Sequence, residues 1–366
     1  MQVLLKEIRH NSLLWLLALV PVVLMAAKTR PEAHTLLFVL AVLAIVPLAA
    51  LLSHATEAVA AKTGDAVGGL LNATLGNLTE MIIAITALHA GQYMLVKASI
   101  AGAIVTNALF MLGASFLIGG LRHRVQEYNR AGGRLYAGLL LMATVALLAP
   151  SAVADLEHAR DPALMQKLSV GLSVLLISAY ALGLYFSLVT HKDLFASAEH
   201  EEAEAPWPLG TALVTLFVVT VLVALVSEIF VESVQKAAES FGMSPAFVGF
   251  IIVSLVGAAA EMAVAFSAAR KNRLDMSVSI ALGSASQIAL FVAPVLVLLS
   301  YVTGPKPMDL LFWPGAVTMV MIAALTASFI TNGGRSAWFI GALLIFIYAI
   351  FALTLYVVPP APQAVG

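Results

Sequence analysis

Of the 366 residues, 61% are hydrophobic and only 11% charged, which lies far outside the soluble globular range and describes a membrane-embedded chain. The formal net charge of −1 excludes the basic stripe of a nucleic-acid-binding protein. The absence of cysteine excludes disulfides and thiolate chemistry while leaving the redox compartment open.

A transmembrane helix takes roughly 20 apolar residues, and apolar runs cut at charge clusters, Gly and Pro predict about eleven of them. The first, 12–27, follows a basic start that also suits a secretory signal peptide, although no A-x-A cleavage site follows it. Next come 34–53, 66–89, 95–119, 132–150 and 168–190. A polar interruption, HKDLFASAEHEEAEAPWP at 191–208, carries Glu199, Glu201, Glu202 and Glu204, and reads either as a solvated linker or as a segment that concentrates cations. Five more runs follow at 209–231, 244–270, 275–301, 309–330 and 334–358. Helices so placed put the basic loops, RHRVQEYNRAGGR above all, mainly on the side of the N-terminus. The positive-inside rule then predicts a cytoplasmic N-terminus and an external C-terminus in a bacterial inner membrane.

The two halves resemble each other. GNLTEMIIA, 76–84, aligns with GAAAEMAVA, 257–265, and SIAGAIVTNALF, 99–110, aligns with SIALGSASQIALF, 279–291, with one residue shifted. The predicted organisation is a first helix outside the repeats, 1–30, a five-helix repeat, 31–190, an acidic cytoplasmic linker, 191–208, and a second five-helix repeat, 209–358. Five is odd, so the second copy enters the membrane from the opposite side, as an inverted repeat. The fold class is therefore an all-α membrane protein.

The inversion brings together Glu80 and Glu261, each expected near the middle of its helix. An ionised carboxylate at the bilayer centre costs about 2.5–3.5 kcal/mol on insertion scales, so two of them need compensation. No lysine or arginine falls at that depth, which leaves protons or a bound cation. Asn72, Thr74, Asn77, Thr79, Thr106, Asn107, Ser254, Ser284, Ser286 and Gln287 add neutral oxygens, each a candidate for a helix–helix hydrogen bond or for ion contact. Gly76, Gly102, Gly257 and Gly283 allow close approach and local unwinding that frees carbonyls toward a cavity. Donors that are all oxygen suit a hard cation, calcium above magnesium because it accepts irregular coordination. Two carboxylates neutralise one divalent ion and repel each other once it leaves, so protons should replace it. Competition of that kind is an antiport mechanism.

GNLTEMIIA resembles the first signature, and GAAAEMAVA with GSASQIALFVAP the second, of the calcium/proton exchangers, the cation exchanger family of the calcium/cation antiporters. GGLLNATLGNLTE, VALVSEIFVESV and the acidic insertion are similar in order and spacing, so the likeness covers nearly the whole chain. The resemblance implies eleven helices and a secondary transporter that exports calcium in exchange for protons, with those ions as cargo and no resident cofactor. It further implies Glu80 and Glu261 as the metal-binding exchange carboxylates and Asn77, Thr106, Asn107, Ser284 and Gln287 along the cation path. Glu57, Glu228 and Glu232 are candidate access or gating acids. Ala258 and Met262 stand where the family's second signature carries Asn and His, and Ala103 stands for a serine, which bears on ion selectivity and proton coupling. The alternatives are a sodium/proton or sodium/calcium antiporter, a passive channel, and an intramembrane enzyme, for which no GxGD, HExxH, nucleophile or phosphate-loop motif is present. Self-association into a homo-oligomer is left open.

Overall fold

The structure, a computed structural model, describes residues 9, 11–63, 65–153, 162–191 and 207–360. Helix α1 (Ser12–Thr29) opens as a 3-10 turn, with Asn11 Oδ1 accepting from Leu13 N at 3.1 Å. It leads into α2 (His34–Ala60), which continues through Pro47. The run expected as one helix over 66–89 is divided into α3 (Asp65–Leu75) and α4 (Leu78–His89). After these come α5 (Tyr93–His123), α6 (Arg130–Val153) and α7 (Ala163–Thr190).

The second half begins with α8 (Leu209–Ser240), longer than the run read from sequence, and continues with α9 (Pro245–Gly257) and α10 (Ala259–Arg270). Then come α11 (Leu274–Leu299), α12 (Pro314–Thr331) and α13 (Trp338–Val357). The expected start of the tenth run at 309 is corrected to 314, because residues 300–313 form a connection and Pro314 occupies the first helical turn, where its missing N–H costs nothing. The acidic linker 191–208 lies outside the described residues except for His191, Trp207 and Pro208.

Among the described residues nine helices are long and apolar enough to cross a membrane, and α9 with α10, bent by 58°, makes a tenth when counted as one span. Helices α3 and α4 are too short to pass singly, so the expected count of eleven is not reached on this criterion. The breaks at Gly76–Asn77 and Gly257–Ala258 are the reason.

Helices α5 and α11 are the most buried and form the centre, whereas α1 and α7 lie at the periphery. The outward faces are apolar, with Phe217, Phe329 and Phe346 exposed, as a lipid-facing surface requires. Helices α2 and α8 pack along much of their length, and α5 crosses α9 so closely that a Cβ on Gly102 would lie 2.2 Å from Phe250 O. On one membrane face a short antiparallel pair, β1 (Val125–Glu127) with β2 (Arg335–Ala337), ties the α5–α6 connection to the α12–α13 connection.

Candidate functional site

Breaking each signature helix changes where its acid sits. Glu80 lies in the first turn of α4 and Glu261 in the first turn of α10, not at the middle of continuous helices as expected. The N-terminus of a helix carries partial positive charge and unpaired N–H groups, which favours a carboxylate by about 0.3–1 kcal/mol and more when partly buried. Each half therefore supplies part of the compensation that no buried cation provides.

The two breaks are close together in space. A Cβ on Gly257 would lie 2.8 Å from Glu80 Cγ and 3.2 Å from Glu80 Oε1, so the bare α-carbon at the α9–α10 bend is what admits the Glu80 carboxyl. Glu261 is within electrostatic range of Glu80 and Glu57 and within reach of the Ser284 hydroxyl.

Four neutral side chains link the halves in one chain of hydrogen bonds. Asn107 Nδ2 donates to Ser284 Oγ at 2.9 Å, Ser284 Oγ donates to Asn77 Oδ1 at 2.7 Å, and Asn77 Nδ2 donates to Gln287 Oε1 at 2.7 Å. Helices α5 and α11 each carry a π-helical turn here, Thr106–Met111 and Ile288–Val292, which shifts register by one residue just where Asn107 and Gln287 must face the centre. Among the described residues at this centre, three acceptor oxygens are buried without a hydrogen-bond donor: Glu80 Oε1, Glu261 Oε2 and Asn107 Oδ1. Orphaned acceptors are costly in a protein interior, and a cation could satisfy all three, a proton only the two carboxylates. Among the described residues no group of three or more His, Cys, Asp or Glu side chains stands together as a metal cluster, so a cation held here would draw on the two carboxylates and neutral oxygens.

A vestibule of about 460 Å³ reaches Glu261 from the face that carries β1 and β2. Its walls include Glu57, Asn72 and Gly76 from the first half and Glu261, Ser284 and Gln287 from the second. Asp275, Asn129 and Tyr136 also line it and are not singled out in the sequence, where they pass for interfacial residues. Asp275 Oδ1 accepts from the backbone N–H of Asn129, so this wall is itself braced across the halves.

Of the expected path residues, Asn77, Asn107, Ser284 and Gln287 meet at the centre, while Thr106 turns away and donates to Tyr348 Oη at 3.2 Å. Thr74 and Ser254 bond backbone carbonyls of their own helices, and Ser286 bonds Leu282 O and Tyr136 O. Of the candidate access acids, Glu57 is at the vestibule, whereas Glu228 and Glu232 are exposed on α8 and not among its lining residues. Ala258 and Met262 are buried and do not line the vestibule either.

A sequence profile described as sodium/calcium exchanger protein matches residues 33–189 and 211–357. The calcium/proton antiporter of Aphanothece halophytica is 39% identical over 342 residues, covering 89% of this chain and 91% of its own length. The Bacillus subtilis calcium/proton antiporter ChaA is 40% identical over 321 residues, covering 87% and 91%. Among solved structures, native YfkE superimposes with a TM-score of 0.82 at 36% identity, covering 95% of this chain and all of that one. The proton/calcium exchanger CAX shares the fold, with a TM-score of 0.75 at 17% identity, covering 96% of this chain and 88% of that one.

Proposed function

Because the chain belongs to the sodium/calcium exchanger protein family, we propose that it is a secondary transporter that exports calcium in exchange for protons, with Glu80 and Glu261 as the groups that hold one or the other. The observation that carries this reading is the pair of carboxylates at the N-termini of two neighbouring half-helices, each with a buried oxygen that no protein donor satisfies. The printed names of the calcium/proton antiporters at about 40% identity support the choice of ions.

Calcium enters by the vestibule, past Glu57, and exchanges water for carboxylate and amide oxygens at the centre. Two carboxylates balance its charge. When it leaves, the acids cannot both stay ionised side by side in a low dielectric, so protons take its place. Cation and protons thus use the same oxygens in turn, and the side open to solvent alternates as the α2–α8 pair shifts against the core. Translocation makes and breaks no covalent bond.

The test is ion uptake into liposomes holding purified protein, under an imposed proton gradient, with calcium, sodium, potassium and manganese compared. Calcium accumulates, and Glu80→Gln or Glu261→Gln each abolishes it. Retained transport in either variant refutes the assignment.

A further inference from the structure

Beside the vestibule lies a second, smaller cavity of about 350 Å³, enclosed by the N-terminal turn of α1, the last turns of α2, and α10 with the start of α11. Its polar lining is Asn11, Ser53, His54, Ser267 and Lys271. The two cavities share walls, since Ser53, Val264 and Met276 line both, and Val264 lies one turn beyond Glu261 on α10. His54 faces the small cavity and Glu57 the large one. They are three apart on α2, about 5–6 Å between Cβ atoms. Ser53 Oγ, on the shared wall, donates to Glu57 Oε1 at 3.3 Å.

We propose that His54 is a proton-relay residue that passes protons from the small cavity to Glu57 on the vestibule wall, so that protons and cation start from different cavities and converge at Glu57 on the way to Glu261. The inference deepens the calcium/proton reading and depends on it. An imidazole is the side chain whose ordinary titration falls between about pH 5 and 8, so it can take and give a proton under the conditions of exchange. The charge argument also favours two routes. A divalent cation in the vestibule repels a proton entering by the same mouth, whereas a relay in the neighbouring cavity reaches Glu57 from across the shared wall. Helix α10 offers no substitute, because Glu261 is its one titratable side chain between Ala259 and Ser267.

Among the described residues, the groups that set the charge around His54 come from four elements, one of them α10, whose Glu261 faces the vestibule. Lys271, from the α10–α11 turn, faces the same cavity; Glu57 of α2 and Asp275 of α11 face the adjoining vestibule; α1 contributes the uncharged Asn11 and Leu13. The proton balance is simple: the imidazolium passes one proton toward Glu57 and takes another from bulk solvent, so His54 is unchanged after each transfer and the gradient sets the direction.

The experiment is calcium uptake by full-length protein in liposomes, measured as a function of pH on the vestibule side. In His54→Gln the maximal rate falls several-fold at the alkaline end and the pH profile flattens, with KM for calcium unchanged. In His54→Ala, added imidazole buffer restores the rate in a concentration-dependent way. A His54→Gln profile that superimposes on wild type overturns the relay, as does a uniform loss with the profile shape intact and no rescue by imidazole. Should wild-type protein itself move no calcium against protons, the functional reading fails, and that result is distinct from loss of the relay alone.

Discussion

Asn77 holds the centre of the site more firmly than either acid does. Its amide oxygen and nitrogen both bond α11, at Ser284 and Gln287, while its backbone precedes the half-helix that begins one residue later and carries Glu80. Asn77→Ala leaves Gln287 Oε1 and Ser284 Oγ without these partners in the protein interior, which costs about 1–3 kcal/mol. Thermal unfolding in detergent should show a lowered midpoint, and calcium protection against unfolding should weaken; an unchanged midpoint would mean that water replaces the amide without loss. In the alignment of the halves Ala258 is the counterpart of Asn77. The two acids and the polar signature residues were legible in the sequence because charge and amides stand out against an apolar background. Thr106, expected on the cation path, donates to Tyr348 Oη instead, because residue type says nothing of the direction in which a side chain points.

At the scale of elements, the broken helices decide what the site can do. Sequence periodicity gives an apolar run its length but not its bends, so 66–89 and 244–270 read as continuous, although the glycines that permit the breaks were visible. Gly257 is the one of these positions that a signature acid packs against. Gly257→Ala drives a methyl group into the Glu80 side chain at 2.8 Å, and overpacking of this kind costs about 1–3 kcal/mol. We expect transport to fall more steeply than stability, as read by uptake rate beside thermal midpoint; equal effects on both would indicate a structural role only. A second element-scale device has no sequence signature, since it joins residues far apart in the chain. Lys97, 7% exposed near the start of α5, donates to Asp309 Oδ1 at 2.5 Å and Leu311 O at 2.9 Å, pinning the 300–313 connection to the first half. Removing one partner of such a pair strands the other, at a cost toward the lower end of about 3–5 kcal/mol because Asp309 is partly exposed. Lys97→Met should therefore lower the unfolding midpoint, and Lys97→Met with Asp309→Leu should recover most of it. Failure of the double substitution to recover would assign the loss to packing of the lysine stem.

The whole molecule is a membrane bundle in which α5 and α11 form the centre and a vestibule opens from one face to Glu261. Hydropathy made the membrane class and most helix positions legible, because burial in lipid selects apolar residues regardless of partners. Which cavities form between the helices was not legible, since that depends on the shapes of surfaces that meet. In the proposed mechanism, cation and protons compete for one set of oxygens drawn from both halves. The most direct measurement is proton release when calcium is added to purified protein in weakly buffered detergent solution, followed with a pH-sensitive dye across a calcium titration. Wild-type protein should release protons in step with calcium binding, and its calcium affinity should fall as pH is lowered, while Glu80→Gln and Glu261→Gln should each lose calcium-linked release. Calcium binding that releases no protons, or undiminished release in either variant, would contradict the account.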